Sequence, residues 1–511
     1  MSQPPPGPHG TDRACSRRSE LLLFSCATSI ELLFGLLLML MWGTTFCSGD
    51  AVCHHYIPRL ILETGDLRHL NVIWLPLLHL ILIPLVRLDF LYTTGLAGTM
   101  VNAVATGLIC VYLYRLAGGR RPALAAPMAF LCNIFTLIFG ATPMMEQWAM
   151  AFSLMAVYHL RRYLSGGRAV EFLKCSTAFC LGCLTRYELW PPAALVALAC
   201  LIREARSKRP GHLLLSPLPL AGPALWMGWN YYLTGDPLMF LHHPMGPQFW
   251  NRACTCSLST LLLLAMAMIY ASSGALCAPS AKQIYRLLRA RNGPDLLVAF
   301  VLLFPAIFHI AIAATPFFYV SLRYFYMALP GFIFLAYLFC RGELGREAGL
   351  RPLSLSLVVL MASAYPLQVF ALAYGMFPGI YFRGLHEHMV ELKAIAEAVG
   401  DGMVLIGTDK AAWLSVLGGL SPSQIISQED GCFKEAMEEP WRYVDFVVVV
   451  RMEDHPLLPA FNELYDGRFY IYLYYHDPSW RSDFLDHFYL VLATEHYLLF
   501  ALRSQAEMIK A

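Results

Sequence analysis

The sequence predicts an all-α polytopic membrane protein with about 11 transmembrane helices and a small C-terminal α/β domain. Of its 511 residues, 58% are hydrophobic and only 14% are charged, whereas soluble proteins contain about a quarter charged residues. Long apolar segments recur as far as residue 376, and roughly 20 apolar residues are enough for a helix to cross a bilayer. Charged residues return after residue 377, which indicates a domain in water.

Eleven segments have the length and composition of transmembrane helices. The stretch 70–86 is also apolar, but Pro76 and Pro84 interrupt it, so we assign it to a loop as a short or re-entrant piece. The predicted spans are 21–46, 92–116, 123–141, 147–164, 169–185, 189–205, 213–233, 258–276, 295–316, 324–340 and 352–376.

The basic residues of the short loops predict the orientation of the chain. Arg and Lys are concentrated before the first span and after every second span, and cytoplasmic loops are the ones enriched in these residues. With eleven spans, all the basic loops lie on one side. We therefore expect a cytoplasmic N-terminus and an extracytoplasmic C-terminus, in a multi-pass protein of a plasma membrane or of the endoplasmic reticulum.

Three domains follow from this division. Residues 1–20 are rich in Pro and Gly, then basic, and we expect a disordered cytoplasmic tail. Residues 21–376 form the transmembrane domain, with a long first extracytoplasmic loop at 47–91. In the soluble domain 377–511, the segment 388–400 has the spacing of an amphipathic helix, and 403–408 and 444–451 resemble buried strands.

Ionisable residues are concentrated at the extracytoplasmic ends of the predicted spans. Such residues cost roughly 2.5–3.5 kcal/mol each at membrane depth and usually have a functional reason. A structural interpretation is equally available for each one alone, because an arginine at a span end can simply reach the headgroups. The candidates are Asp50 after the first span, Glu146 after the third, Arg186, Tyr187 and Glu188 after the fifth, Asp236 after the seventh, and Arg323 before the tenth.

Five short motifs, taken in order, resemble the GT-C superfamily of membrane glycosyltransferases, in particular glycosyltransferase family 39 and the protein O-mannosyltransferases. They are "SGDAVCHHY" with a later "WLPL", "ATPMMEQ", "TRYELW", "TGDPLMF" and "RYFYMALPGF", and together they cover about residues 20–340. The chain departs from many O-mannosyltransferases in one respect. Ala51 follows Asp50 where those enzymes have a second acidic residue.

The resemblance implies transfer of a sugar, with inversion, from a polyprenyl-phosphate donor (dolichyl or undecaprenyl phosphate) to an acceptor hydroxyl outside the cytoplasm. A carboxylate would take the proton of the acceptor, and this is the role expected of Asp50. Glu146 would bind the acceptor, orient Asp50 or, with Asp50, hold a divalent cation such as Mg²⁺ or Mn²⁺. The phosphate would lie against Arg323 and Arg186.

Weaker substrate contacts are expected from Tyr187, Glu188 and Asp236. His54, His55 and His79 are further candidates, although the structural interpretation is the stronger one for these histidines. The acceptor is undetermined among protein, lipid and glycan. Membrane lipids are expected partners, and the net charge of only +2 argues against nucleic acid.

Two other functions remain open at this point. A transporter would also bury charged residues, but near the bilayer midplane and often with repeat symmetry. A scaffold that keeps the GT-C frame without activity is also consistent with the absence of a second acidic residue after Asp50.

Overall fold

The computed structural model describes residues 10–70, 73–166, 168–207, 214–242, 258–313, 322–345, 349–373, 382–406, 410–427, 430, 432–450 and 484–504. Helices dominate these residues, and strands occur only after residue 403 within them. The predicted boundary between residues 376 and 377 lies outside the described residues.

The α-helices of the described chain are numbered here in chain order. They are α1 (Gly10–Trp42), α2 (Gly49–Thr64), α3 (Leu77–Leu82), α4 (Asp89–Thr94), α5 (Leu96–Leu116), α6 (Ala125–Leu131), α7 (Ile134–Ala141), α8 (Glu146–Gly166), α9 (Ala169–Cys183), α10 (Trp190–Ser207), α11 (Ala221–Thr234), α12 (Met239–His242), α13 (Leu258–Ser273), α14 (Cys277–Arg289), α15 (Gly293–Ala313), α16 (Leu322–Tyr326), α17 (Leu329–Glu343), α18 (Leu350–Ala362), α19 (Tyr365–Ala373), α20 (Phe382–Val399), α21 (Lys410–Val416) and α22 (Phe433–Glu438).

Each of the eleven predicted spans contains a helix, but few of these helices are long and apolar enough to be recognised as spans on their own. Among the described residues three qualify, namely Arg17–Trp42, Leu96–Leu116 and Gly293–Ala311. A fourth is added if Arg121–Leu131 and Ile134–Ala141, which are bent by 71°, count as one broken span. The other helices are too short, or not apolar enough, for that criterion. The number eleven therefore stays a prediction.

The first helix begins earlier than the sequence predicts. Gly10–Glu20, expected in a disordered tail, form the first turns of α1. One physical reason is at the end of that segment, where the Glu20 carboxylate accepts hydrogen bonds from Nε and Nη2 of Arg115 at 3.1 and 2.8 Å. This pair ties the start of α1 to the end of α5.

The chain divides into two compact units. The first contains the described residues of Met1–Gly35, Thr99–Leu238 and Cys256–Pro378, and it is wholly helical. Its interior is aromatic and aliphatic, with Phe130, Phe135, Phe139, Phe172 and Phe179 essentially without exposed surface. Burial of side chains of this size is the main stabilising contribution to such a unit.

The second unit joins the first loop to the C-terminal segment. It contains the described residues of Leu36–Gly98, Met239–Thr255 and Gly379–Ala511. The loop is itself helical. In α2 the Ser48 hydroxyl accepts a hydrogen bond from the Ala51 amide at 3.3 Å, which caps the first turn. The helix ends at Gly65, whose φ of 70° is the left-handed conformation that glycine adopts without strain.

A five-stranded mixed sheet forms the centre of the C-terminal segment, in the order β2-β1-β3-β5-β4. Both predicted strands are present, as β1 and β3, and the predicted helix 388–400 overlaps α20 as far as Val399. Strands β4 and β5, which form an antiparallel pair, were not anticipated from the sequence. The strands are β1 (Val404–Ile406), β2 (Ile425–Ile426), β3 (Phe446–Val450), β4 (Phe488–Ala493) and β5 (Tyr497–Leu502).

The pairing within the sheet explains the sequence of β3. This strand lies between β1, to which it is parallel, and β5, to which it is antiparallel. All five of its residues are buried. A strand covered on both faces reads as a continuous apolar run, which is why "FVVVV" shows no alternation.

Candidate functional site

Two arginines and two glutamates form a cluster in the first unit. Arg186 Nη2 lies 2.6 Å from Glu188 Oε1, and Arg186 Nη1 lies 3.4 Å from Glu146 Oε1. The same Glu146 oxygen is 3.7 Å from Nε of Arg323. Three of the five predicted motifs therefore supply residues to one site, with Glu146 between two guanidinium groups.

Hydrogen bonds from α5 hold the turn that precedes Glu146. Asn102, on α5, donates from Nδ2 to the backbone oxygens of Thr142 and Met144 at 2.5 and 2.9 Å. The Thr99 hydroxyl donates to the Ala141 carbonyl at 2.5 Å. These bonds satisfy carbonyls at the end of α7 and in the short turn before α8, where no helix partner exists. They fix the position from which Glu146 begins α8.

The segment that carries Arg186 is also fixed by side chains. It is a single 3₁₀ turn, Tyr187–Leu189, between α9 and α10. Trp190 donates from its indole to the Cys183 carbonyl at 2.8 Å, and the Trp226 indole donates to the Tyr187 hydroxyl at 3.0 Å. Tyr187 thus serves this packing, and its role as a substrate contact stays a prediction.

A histidine and a tyrosine complete the cluster. His309, on α15, places Nε2 3.0 Å from Glu188 Oε1, and its ring stacks on Tyr324 with 4.2 Å between centroids. The guanidinium carbons of Arg186 and Arg323 lie 5.1 and 5.0 Å from the centre of the same tyrosine ring. Such cation–π contacts restrict the planes of both arginines.

The acidic and the basic side chains of the cluster differ in their exposure. The side chains of Glu146 and Glu188 are 1% and 5% exposed, whereas those of Arg186 and Arg323 are each 16% exposed. Burial by itself raises the pKa of the Glu188 carboxyl, but the Arg186 charge and the His309 hydrogen bond outweigh it, so that pKa is well below its usual range. The neighbouring carboxylates likewise raise the pKa of Arg186 against the effect of burial. The accessible side of the cluster is therefore cationic.

Glu146 keeps unused capacity for hydrogen bonds. Neither of its oxygens has a hydrogen-bond partner among the described residues, and its two ion-pair distances are long. A buried carboxylate without hydrogen bonds is costly, and such groups are usually paired or await a ligand. Next to it, the Gln147 Nε2 donates to the Thr136 carbonyl and the Tyr326 hydroxyl, each at 3.2 Å, so this nitrogen is already engaged.

Asp236 lies in the loop after α11. Its carboxylate accepts a hydrogen bond from the Leu238 amide at 2.8 Å, which stabilises the turn that the sequence "TGDP" predicts. Its contact with substrate stays a prediction.

The predicted residues of the first loop lie in the second unit. Asp50 is in the first turn of α2 and is half-buried. A carboxylate in this position interacts favourably with the helix dipole. The ring of His54 is 2.9 Å from that of His79, measured from Nδ1 to Nε2, and both rings are buried.

His55 is bonded to the backbone through both ring nitrogens. Nδ1 lies 2.9 Å from the Tyr92 carbonyl, and Nε2 accepts a hydrogen bond from the Gly98 amide at 3.1 Å. Burial lowers the pKa of this histidine to about 4, and burial together with His54 lowers the pKa of His79 as well. These are the features of neutral structural histidines.

One group of potential metal ligands converges within the described part of the chain. Ligand atoms of Glu391, Glu495 and His496, in the second unit, all lie within 4.8 Å of one another. The Glu391 oxygens, however, already accept hydrogen bonds from His496 Nδ1 at 2.7 Å, Thr494 Oγ1 at 2.5 Å and the His496 amide at 3.0 Å. A cation would have to displace these bonds. The predicted role of Asp50 and Glu146 as ligands of Mg²⁺ or Mn²⁺ is a separate expectation.

Sequence reasoning missed three residues of the first-unit cluster: Asn102, His309 and Tyr324. Asn102 and His309 are polar residues inside apolar segments. Their position could have identified them from sequence, because polar residues in such segments usually have a partner. Tyr324 lies in the quoted motif "RYFYMALPGF", but the sequence does not show that its ring would contact two arginines.

Comparison with solved structures supports the fold. ArnT from Cupriavidus metallidurans bound to undecaprenyl phosphate has a TM-score of 0.55 and 13% identity, covering 94% of this chain and 97% of ArnT. ArnT in the apo state also has a TM-score of 0.55, with 12% identity and the same coverage. The archaeal oligosaccharyltransferase AglB from Archaeoglobus fulgidus, in complex with an inhibitory peptide and a dolichol-phosphate, has a TM-score of 0.47 and 13% identity, covering 84% of this chain and 69% of AglB, and we draw no conclusion from it.

No protein-family model and no curated protein matches the chain. The chain therefore shares the fold of ArnT, and three of its described helices are long and apolar enough to cross a membrane.

Proposed function

We propose that this protein is an inverting glycosyltransferase that moves a sugar from a polyprenyl-phosphate donor to an acceptor hydroxyl on the extracytoplasmic side. One observation carries the proposal: in a GT-C-type fold, Arg186 and Arg323 present cationic groups at the accessible side of a buried cluster, with Glu146 and Glu188 behind them. ArnT, which shares the fold, is recorded bound to undecaprenyl phosphate.

The guanidinium forks suit the donor phosphate. In the reaction the acceptor oxygen forms a bond to the anomeric carbon, while the bond from that carbon to the phosphate oxygen breaks and its electron pair goes to the phosphate. The phosphate gains negative charge as it leaves. Fixed guanidinium groups bind this charge more strongly in the transition state than in the ground state, which lowers the barrier.

The carboxylates have two different roles. Glu188, bonded to Arg186 and His309, holds the first arginine in one orientation. Glu146 has free acceptor capacity and would take hydrogen bonds from hydroxyl groups of the substrate. Asp50 remains the predicted general base that accepts the acceptor proton. A divalent cation, if one is used, would assist by binding phosphate oxygens.

A transfer assay tests the proposal. Purified protein is given a panel of polyprenyl-phosphate sugars with and without chelator, and transfer to water or to an added acceptor is measured. We expect Arg323→Lys to lower kcat/KM by about 10- to 100-fold, because lysine keeps the charge but loses the two-pronged geometry. Arg383→Gln is the control, since Arg383 is exposed and its ion pair among the described residues is with Glu387.

The variant Asp50→Asn distinguishes a glycosyltransferase from a scaffold or a transporter. We expect it to abolish transfer at normal expression and with an unchanged elution profile. Full cellular function of Asp50→Asn together with no transfer by the wild type from any donor of the panel would favour a scaffold. Transport of the donor without turnover would favour a transporter.

A further inference from the structure

A cavity lies in the first unit, away from the Arg186 cluster. It has a volume of about 510 Å³ and is bordered by α5, α8 and α9. His159, which lines it, follows Glu146 by thirteen residues on α8, and a rise of 1.5 Å per residue separates the two by about 20 Å along the helix axis. The residues that line the cavity are Tyr112, Arg115, Met155, His159, Val170, Leu173, Lys174, Thr177, Ala178 and Leu181.

The polar part of the lining is basic. Arg115, Lys174 and His159 face the cavity, and no carboxylate lines it. Two nearby acids pair with residues of this lining, Glu20 with Arg115 at 2.8 Å and Glu171 with His159 at 2.7 Å. Lys174 is exposed and forms no ion pair within the described ranges. This distribution of charge favours the binding of an anionic group next to Lys174.

The rest of the lining is apolar, and part of it is exposed on the surface of α9. Val170 and Leu173 are 51% and 50% exposed, and Ala178 and Leu181 continue the same wall. In an integral membrane protein, exposed apolar side chains at the end of a helix lie against lipid chains. The cavity therefore combines a basic end with an apolar wall about three turns long, from Val170 to Leu181.

We propose that this cavity binds an anionic phospholipid, with the phosphate at Lys174 and Arg115 and an acyl chain along α9. Arg120 and Arg121 follow the end of α5, and Arg168 precedes α9, at the same end of these helices as Arg161 and Arg162, which lie in the last turns of α8 and pair with Asp295 and Glu171. Basic residues near the membrane surface attract anionic headgroups. The lipid is a ligand of the protein separate from the sugar donor, and the proposal does not depend on the proposed transfer reaction.

Native mass spectrometry of the detergent-purified full chain tests this site. Dioleoyl phosphatidylglycerol and dioleoyl phosphatidylcholine are titrated separately, so that only the headgroup differs. We expect phosphatidylglycerol to bind the wild type at least fivefold more tightly than phosphatidylcholine, and Lys174→Gln to remove that preference. Lys282→Gln, an exposed lysine on α14, is the matched control and should bind like the wild type.

A second variant leaves all charges in place. Thr177→Trp fills the apolar wall and should weaken phosphatidylglycerol binding to a similar extent. Equal binding of phosphatidylglycerol to the wild type, Lys174→Gln and Thr177→Trp would overturn the proposal. Full displacement of the bound lipid by millimolar inorganic phosphate would also overturn it, because the site would then recognise a free anion rather than a lipid.

Discussion

At the scale of single residues, Glu146 shows how a membrane protein can bury charge. It lies between Arg186 and Arg323, while Glu188 pairs with Arg186 from the other side. The formal charges of the four side chains cancel, which limits the desolvation cost of burying them. Removing one charge leaves the others unbalanced, and for this reason charge-preserving variants are the informative ones at this site.

His55 contrasts with these charged residues, because it contributes to the structure as a neutral side chain. The bonds to the Tyr92 carbonyl and the Gly98 amide require Nδ1–H and an unprotonated Nε2. Protonation of Nε2 would break the bond from Gly98 and place an unpaired charge in the interior.

This neutrality predicts a loss of stability in acid. The unfolded chain takes up the proton near pH 6.5, but the folded pKa is lowered to about 4. The unfolded state therefore binds more protons between these values, so stability is complete above pH 6.5 and falls as the pH decreases toward 4, by up to about 3 kcal/mol. The apparent melting temperature of the wild type should fall more steeply over this range than that of His55→Gln.

The comparison is controlled by another histidine of the same loop. His69→Gln should give a curve parallel to that of the wild type. Parallel curves for the wild type and His55→Gln would show that His55 does not carry the effect.

At the scale of secondary-structure elements, the packing of α11 against α9 depends on one glycine. A Cβ atom at Gly222 would lie 2.4 Å from the Cys180 carbonyl oxygen and 3.0 Å from the Cys183 Cβ. The nearest obstacle is backbone and cannot rotate away. Close helix approach in membrane proteins commonly uses small residues in this way.

Two glycines of α11 allow a matched test. Gly222→Ala should lower stability by about 1–3 kcal/mol, because the two helices must move apart. Gly228→Ala adds a methyl group where nothing lies within 4 Å, and alanine favours a helix over glycine by about 0.5–1 kcal/mol. Thermal denaturation followed by size-exclusion chromatography measures both. Similar melting temperatures for the two variants would contradict the contact.

Within the second unit, the first loop is bonded to the C-terminal segment through α4 and α21. The hydroxyl groups of Tyr92 and Ser415 are 2.7 Å apart, and Ser415 donates to the Leu420 carbonyl at 2.7 Å. Glu63 also accepts hydrogen bonds from the Ser421 hydroxyl and the Ser423 amide, at 2.7 and 3.2 Å. The loop therefore folds as part of this unit.

A double-mutant cycle measures that connection. Tyr92→Phe and Ser415→Ala should show a coupling energy of about 1 kcal/mol, the usual contribution of a hydrogen bond, in thermal or denaturant unfolding. Tyr285→Phe, an exposed tyrosine of the other unit, should combine additively with Ser415→Ala. Additivity in both pairs would mean that the Tyr92 bond contributes no stability.

At the scale of the whole molecule, the distribution of basic loops predicts a cytoplasmic N-terminus and an extracytoplasmic C-terminus. Fusions expressed in bacterial cells test this, since alkaline phosphatase is active only outside the cytoplasm and green fluorescent protein fluoresces inside it. We expect phosphatase activity for a fusion at the C-terminus and fluorescence for one that replaces everything after Asn292. Fluorescence at the C-terminus would require an even number of spans.

Several features of the molecule were predictable from sequence because they depend on composition or on local periodicity. The apolar segments became helices, and the runs around β1 and β3 became buried strands. The five ordered motifs resembled those of the GT-C superfamily, the chain shares the fold of ArnT, and three of the motifs supplied residues to one cluster. The extension of α1 to Gly10 was missed, because it is accompanied by a pairing of Glu20 with an arginine that lies far away in the sequence.

Hydrophobic burial needs only the order of apolar residues along the chain, so the sequence by itself determined the apolar helices, the buried strands β1 and β3, and the candidate charges. Which charges meet was decided only by the tertiary structure. The contacts of these residues join parts of the chain that are far apart in sequence. Glu146 pairs with two arginines, His309 and Tyr324 contact the same cluster, and His55 bonds to the backbone of Gly98. Electrostatic and hydrogen-bond energies change steeply with such distances, and no linear pattern encodes them.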